Sequence, residues 1–323
     1  MVKRIAVFTS GGDAPGMNAC IRAVVRAGVH YNLETFGIMR GYEGMIEDDI
    51  HPLHPESVSN IIQFGGTMLK SARSLDFTTV EGRAKAAANL KNRGIDGLVC
   101  IGGNGTYTGA MHFEREHGIP SIGCPGTIDN DLFGTDTTIG FDTAVNTALD
   151  AIDKVRDTAD AHNRVFFIEV MGRHSGHIAM SAGLAGGAEA IFIPERSDEA
   201  TVFFERYGSK TRKKAFSIFI VAEGDEEGNA YALAEKFKKH YPDADARVTV
   251  LGHIQRGGMP TANDRILASR LGAHAVKALV EGKRNMAVGI VNNQVVFTPF
   301  EEAINRKKDI NESLWELATI LTR

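Results

Sequence analysis

Short apolar runs rich in β-branched residues recur along the chain, separated by longer stretches in which apolar positions return every three or four residues. Residues 5–9, 97–101, 121–124, 165–170, 190–194, 216–221, 248–251 and 288–291 read as strands. Their apolar character is nearly continuous rather than alternating, which predicts burial on both faces, as in a parallel sheet covered by helices. Residues 17–29, 84–92, 143–158, 230–240 and 264–279 carry the helical period, with one apolar stripe and one solvated face. Alternating β and α elements imply right-handed crossovers and an open, doubly wound α/β fold. Ligands of such sheets bind beyond the C-terminal ends of the strands.

The most informative residues fall at those ends. Ser10-Gly11-Gly12-Asp13-Ala14-Pro15-Gly16-Met17-Asn18 is a strand–turn–helix junction, and Gly102-Gly103-Asn104-Gly105-Thr106 repeats the design after a later strand. Glycine lets backbone amides approach an anion, and the following helix N-terminus adds partial positive charge. Either turn alone could simply be a tight βα connection, but two such cradles suit a polyphosphate chain. The first has the spacing of neither a Walker A loop nor Gly-x-Gly-x-x-Gly, and no acidic residue stands out as a ribose anchor, so a nicotinamide dehydrogenase loses support. Pro125-Gly126-Thr127-Ile128-Asp129-Asn130-Asp131 follows the next strand and carries two carboxylates. Phosphoryl transfer needs a carboxylate to take the attacking hydroxyl's proton, and others to hold Mg²⁺ near the phosphates. The competing reading is an Asx-rich turn. Met171-Gly172-Arg173 and Gly252-His253-Ile254-Gln255-Arg256-Gly257-Gly258 each bring a guanidinium to a strand end. That group can give phosphate two hydrogen bonds at once, although isolated arginines are usually surface ion pairs.

Composition narrows this picture. A chain of 323 residues favours two domains over one large one, and 43% apolar with 24% charged residues excludes disordered and fibrous classes. A formal charge of −4 argues against a general nucleic-acid binder. Cys20, Cys100 and Cys124 are widely spaced and form no CxxC pair, as expected of buried reduced thiols. The apolar run after Lys3-Arg4 is too short for a signal peptide, and no stretch approaches a membrane span, so a cytoplasmic protein is expected. No low-complexity linker or short repeat interrupts the chain.

Taken together, residues 10–18, Ser71-Ala72-Arg73, the Gly-Gly-x-Gly-Thr loop, residues 125–131, Met171-Gly172-Arg173 and residues 251–258 resemble the bacterial ATP-dependent 6-phosphofructokinase family, in the family's order. The resemblance runs from about residue 5 to near the C-terminus, and its PGTIDND and GHIQRGG motifs are highly specific. It implies two doubly wound α/β domains with mainly parallel sheets and the active site in the cleft between them. Residues 1–140 with 255–305 would form a large ATP-binding domain, and residues 141–254 with 306–323 a smaller sugar-phosphate domain. The implied reaction moves the ATP γ-phosphoryl group to the C1 hydroxyl of fructose 6-phosphate, with Mg²⁺ as cofactor.

By the same resemblance Asp129 is the base, Thr127 helps hold the sugar and the transferring group, and Arg173 and Arg73 offset charge on the phosphoryl oxygens. Gly12, Arg73, Ser74, Gly103, Asn104, Gly105 and Thr106 would contact ATP. Ile128, Met171, Gly172, Glu223, His253, Ile254, Gln255 and Arg256 would bind the sugar phosphate. Arg164 and Arg247 would reach the 6-phosphate of a neighbouring subunit's substrate, which implies a homotetramer. Arg22, Arg26, Arg156, Gly187, Glu189, Arg212 and Lys214 match an effector site for ADP or phosphoenolpyruvate. Pyrophosphate-using relatives carry an acidic residue at the Gly105 position and lysine at the Gly126 position, so glycine at both favours ATP.

Two departures stand out. Asn104 replaces the family's Asp, which is associated with Mg²⁺; the amide keeps an oxygen but loses the charge, leaving Asp131 as the nearby carboxylate. An active enzyme with weaker metal binding is the favoured reading; a catalytically impaired, regulatory sugar-phosphate- or nucleotide-binding homologue is the alternative, with a pyrophosphate-dependent enzyme the other rival. Pro55 stands where the family commonly has Arg, removing a phosphate donor from the effector site and predicting altered control.

Overall fold

A computed structural model describes residues 2–160, 164–196, 199–207, 216–225 and 228–321. The chain divides into two compact units, Met1–Ile128 with Leu132–Thr143 and Arg256–Lys308, and Asp129–Asp131 with Ala144–Gln255 and Asp309–Arg323. The strands, in chain order, are β1 (Arg4–Thr9), β2 (Glu34–Ile38), β3 (Ile50–Leu53), β4 (Gly97–Gly102), β5 (Ser121–Pro125), β6 (Val165–Val170), β7 (Ala190–Phe192), β8 (Ser217–Ala222), β9 (Ala246–Val250), β10 (Met286–Val291) and β11 (Gln294–Pro299).

In the first unit the sheet order is β11-β10-β5-β4-β1-β2-β3. Pairs from β2 to β10 across its centre are parallel, while β3 and β11 close the edges antiparallel. The second unit holds an all-parallel sheet, β7-β8-β6-β9. Every apolar run read as a strand forms one. The three the pattern missed are β2, broken by Gly37, and the edge strands β3 and β11. Gly37 is there for contact: a Cβ would lie 2.8 Å from both Leu53 and Leu69 side chains.

The five expected helices are present as Met17–His30, Val80–Asn92, Phe141–Asp160, Ala230–His240 and Ala262–Val280. Asn104–His117 starts at the second glycine turn, as the repeated strand–turn–helix design implies, although its first turn, Asn-Gly-Thr, is polar and carries a poor helix former. Its buried face is Thr106, Tyr107, Ala110 and Phe113, a helical spacing disguised by intervening polar residues. Phe113 joins a core in which Tyr42 stacks on Phe77 at 3.9 Å, and the Tyr42 hydroxyl donates to the Thr106 carbonyl at 2.6 Å. Phe167, Phe204, Phe219 and Phe237 fill the second unit's core edge to face. All three cysteines are free and buried, and burial pushes the Cys100 thiol up to about 12, so it stays protonated. Among the described residues no helix is long and apolar enough to cross a membrane.

The far end of Asn104–His117 is pinned by an ion pair. Arg83, 8% exposed, donates Nε and Nη2 to both Glu116 oxygens at 2.7 Å, and Nη1 to the Phe77 and Thr78 carbonyls. The Arg83 hydrogen bond holds the Glu116 carboxyl below its ordinary value, against partial desolvation. A depressed carboxyl pKa contributes stability above the unfolded pKa, and loses it as pH falls through the folded one. Glu116→Gln is therefore expected to destabilise the protein by about 1.5–3 kcal/mol at neutral pH. The gap from wild type should close below about pH 4, as measured by denaturant unfolding across pH.

Candidate active site

Parallel register brings three turns side by side in the first unit. Thr9 pairs with Ile101 and Gly102 with Pro125, so the segments after β1, β4 and β5 leave the same edge of the sheet. Their backbones touch. The Gly126 amide donates to the Gly102 carbonyl at 3.0 Å, and Thr106 Oγ1 donates to the Ser10 carbonyl at 3.2 Å. A Cβ on Gly102 would lie 2.5 Å from that Ser10 oxygen, and one on Gly126 would lie 2.9 Å from Ile101. Gly126 thus serves packing between β4 and β5, and the space attributed to it on sequence grounds is occupied by Ile101 and Met17. Gly105 does face open space.

The first turn is shaped by Gly11 at φ 87° and Gly16 at φ 109°. Ser71 donates its hydroxyl to the Gly11 carbonyl at 2.6 Å, and Arg256 donates to the Asp13 carbonyl at 3.2 Å. Arg256 lies over Gly12 so closely that a Cβ there would be 2.5 Å from Nη1. Gly12 and Arg256, expected to meet different ligands, are neighbours. Arg73 is exposed, and Ser74 Oγ accepts the Phe77 amide at 3.3 Å.

The second turn ends in Gly103, which caps Asn104–His117 with no side-chain bond; its carbonyl accepts the Thr106 amide at 3.0 Å, and the helix start offers an anion its partial positive charge. Asn104 Oδ1 is buried and has no hydrogen-bond partner. Such an acceptor costs free energy unless a ligand, cation or water completes it.

In the third turn Thr127 is 9% exposed, Ile128 fully buried, and Asp129 and Asn130 each 4% exposed. The Thr127 carbonyl accepts the Thr138 hydroxyl at 2.6 Å, and the Asp129 carbonyl accepts the Ser175 hydroxyl at 3.0 Å. Asn130 adopts φ 53°, a left-handed conformation that Asn tolerates better than most residues. Asp131 is half-buried and belongs to the second unit.

Within the second unit the expected sugar-phosphate residues fall at two opposite ends of one sheet. Met171, Gly172 and Arg173 follow β6, Glu223 follows β8 and His253 follows β9, all at C-terminal ends. Arg173 is exposed at φ 56°, and its amide donates to Glu223 Oε1 at 2.8 Å, so part of the Glu223 carboxylate is committed to the turn. His253 and Ile254 are exposed, whereas Gln255, expected to bind the sugar, is wholly buried and turned onto the Gly252 carbonyl at 3.4 Å. Arg164 and Arg247 sit at the other end, where β6 and β9 begin. Both pair with one carboxylate, Asp245, each through Nε at 2.8 Å. The Arg164 hydrogen bond, helped by Arg247, holds that carboxyl below its ordinary value. A six-residue strand separates the two ends by roughly 20 Å.

Of the effector residues, Arg22 and Arg26 line a groove of about 360 Å³ between Met17–His30 and Ala262–Val280, together with His30, Tyr31, His274 and Lys277. Arg156 bonds the Gly186 carbonyl beside Gly187, which is at φ 61°. Glu189, expected to face an effector, is 2% exposed and accepts the Ile218 amide at 2.7 Å, because the start of β8 needs an acceptor there. Arg212 and Lys214 lie outside the described residues. Thr138, Ser175, Asp245 and Asp264 were missed by reading the sequence, since each acts through a partner distant along the chain. Only Asp245, two residues before Arg247, left a local signal. Among the described residues no group of three or more His, Cys, Asp or Glu side chains could hold a metal ion.

Glycine turns on adjacent parallel strands, an uncapped helix start and a buried carboxylate define a phosphate-handling α/β protein of the phosphoryl-transfer kind. Residues 4–279 match the family described as Phosphofructokinase, and the chain belongs to it. It is 58% identical over 318 residues to the ATP-dependent 6-phosphofructokinase of Cytophaga hutchinsonii, covering 98% of this chain and 97% of that one. With ATP-dependent 6-phosphofructokinase 1 of Thermus thermophilus it shares 59% over 321 residues, 99% of both. The solved phosphofructokinase of Saccharomyces cerevisiae superposes with a TM-score of 0.87 at 36% identity, over 99% of this chain and 46% of that longer one. A pyrophosphate-dependent phosphofructokinase from Marinobacter aquaeolei, 24% identical over 97% of this chain and 86% of that one with a TM-score of 0.84, shares the fold.

Gly12→Ala is expected to push Arg256 aside and weaken binding of a phosphorylated ligand by about tenfold, the size of a lost hydrogen bond to a charged group. Calorimetric titration with a non-hydrolysable ATP analogue and with sugar phosphate would measure it; unchanged affinity for both would show that Arg256 need not lie there.

Proposed function

We propose that the chain transfers the γ-phosphoryl group of ATP to the C1 hydroxyl of fructose 6-phosphate, giving fructose 1,6-bisphosphate and ADP, a step of glycolysis in the cytoplasm. The observation that carries this reading is near-full-length identity of 58–59% to proteins named for that reaction, with the 125–131 run intact and its Asp129 buried.

Asp129 takes the C1 hydroxyl proton as the oxygen attacks phosphorus in line, and the bond to the leaving ADP oxygen breaks. Burial and the Ser175 bond to its carbonyl hold Asp129 in one orientation. Thr127 holds the transferring group, Arg73 and Arg173 offset its charge, and the turns at Gly11–Gly12 and Gly103–Thr106 bind the nucleotide phosphates through backbone amides. Arg256 and His253 bind the sugar phosphate, and Glu223 accepts from sugar hydroxyls. Open space beside Gly105 favours ATP over pyrophosphate.

Mg²⁺ fits the residues present. The unpartnered Asn104 Oδ1 offers one neutral oxygen ligand at a helix start, and ATP and water would supply most of the rest, with Asp131 as the carboxylate the family resemblance suggests. When bound, the metal neutralises charge on the β- and γ-phosphates. The remote position of Arg164 and Arg247 supports their use by a neighbouring subunit in a homotetramer. ADP or phosphoenolpyruvate binding would draw on Arg22, Arg26, Arg156, Arg212 and Lys214, with control weakened by Pro55.

A coupled assay is expected to show turnover with ATP, Mg²⁺ and fructose 6-phosphate and none with pyrophosphate. Asp129→Asn should lower kcat roughly 10²–10⁴-fold. Asn104→Asp should reduce the Mg²⁺ needed for half-maximal turnover; a wild type inert at every Mg²⁺ level but rescued by Asp would instead establish the impaired, regulatory reading. ADP at fixed ATP should shift the sugar-phosphate saturation curve less than in relatives that carry Arg at the Pro55 position.

A further inference from the structure

Asp264 is 1% exposed, and both of its oxygens are used. Oδ1 accepts the Gly140 amide at 2.8 Å, while Oδ2 accepts the Thr143 amide at 2.8 Å and the Thr143 hydroxyl at 2.5 Å. The same Thr143 hydroxyl accepts the Thr261 amide at 3.0 Å, and the Thr261 hydroxyl donates to Asp142 at 2.5 Å. Phe141–Asp160 and Ala262–Val280 therefore begin at one point, each satisfying the other's free donors. Burial raises the Asp264 carboxyl pKa, opposed by these hydrogen bonds. A serine or threonine would cap a helix without burying a charge, so the carboxylate is costly for capping alone.

What it holds in place is more specific. From Asp264 the chain runs back through Gly140 and Ile139 to Thr138, alongside the segment after β5. The Ile139 amide donates to the Pro125 carbonyl at 2.8 Å, and the Thr138 hydroxyl donates to the Thr127 carbonyl at 2.6 Å. The opposite side of this stretch presses on the first phosphate turn. A Cβ on Gly140 would lie 2.7 Å from Ala14, and one on Gly16 would lie 2.8 Å from Ile139 and 3.5 Å from the Asp264 carbonyl.

We infer that Asp264 is a positioning residue for phosphoryl transfer, setting through Thr138 the placement of Thr127 and, two residues further along the chain, of Asp129. The inference rests on reading Thr127 and Asp129 as the transfer residues. Asp264→Asn presents an NH₂ group to one of its backbone donors and should shift residues 138–140. Thr138→Val cuts the link to Thr127 while leaving every Asp264 bond intact.

The experiment measures kcat, KM and Tm for Asp264→Asn, Thr138→Val and the double variant, with ATP and fructose 6-phosphate. Each single change is expected to lower kcat about 10–100-fold, the scale of a one-ångström misplacement, with both KM values within about twofold. Because the two act on one chain of contacts, the double variant should be no slower than the slower single one. Changes confined to Tm or KM, or kcat losses that multiply in the double variant, would overturn the inference. Should Asp264→Asn not fold, a wild-type kcat in Thr138→Val overturns it alone. Asp129→Asn serves as the separate control: full turnover there would sink the reading of the base, whatever Asp264 does.

Discussion

The site depends on how closely the ends of β1, β4 and β5 approach one another. The Ser10 carbonyl lies 2.5 Å from where a Cβ on Gly102 would stand, and the Gly102 amide 3.2 Å from one on Gly126. No side chain fits between these turns, so backbone dipoles line the space where they meet. That arrangement suits a polyphosphate. Amide donors held by a sheet need no reorganisation when charge develops, and they leave a protein of net charge −4 able to bind a strongly anionic substrate.

Buried parallel strands were legible because burial on both faces makes their apolar runs continuous. Edge strands were not: β3 carries Pro52 and β11 is only half covered, so neither shows that signal. The run proposed to carry the transfer could be read as chemistry, since its carboxylates, glycine and threonine lie within seven consecutive positions. Its supports could not. Ser175 is 46 residues from Asp129, and Asp264 is 121 from Thr143, and only the folded chain makes them neighbours. Gln255 and Glu189 show the converse limit. A motif names the residue type, but burial decides whether its side chain meets a ligand or the backbone beside it.

The two ends of the second sheet carry different electrostatics. Arg173, Glu223 and His253 gather where the strands finish, the usual position for a ligand in a parallel sheet. Arg164 and Arg247 gather where β6 and β9 start, because the register Val165 to Ala246 sets Arg164 beside Asp245. A carboxylate shared by two guanidiniums keeps them close while neutralising only one charge. The pair therefore retains net positive charge for an anion, at an exposed place where an ion pair by itself adds little stability.

Asn104 bears on the same electrostatics from the opposite direction. At the first position of Asn104–His117 a carboxylate would be stabilised by the helix N-terminus, yet it would repel a bare triphosphate and attract one carrying a divalent cation. An uncharged amide removes both effects. Its buried, unpartnered oxygen can still ligate a cation, while its lack of charge leaves the helix's positive end wholly to the phosphates. On the proposed reading, an amide at this position would cost discrimination between metal-bound and free nucleotide more than nucleotide binding, because it leaves the backbone donors of the two glycine turns untouched.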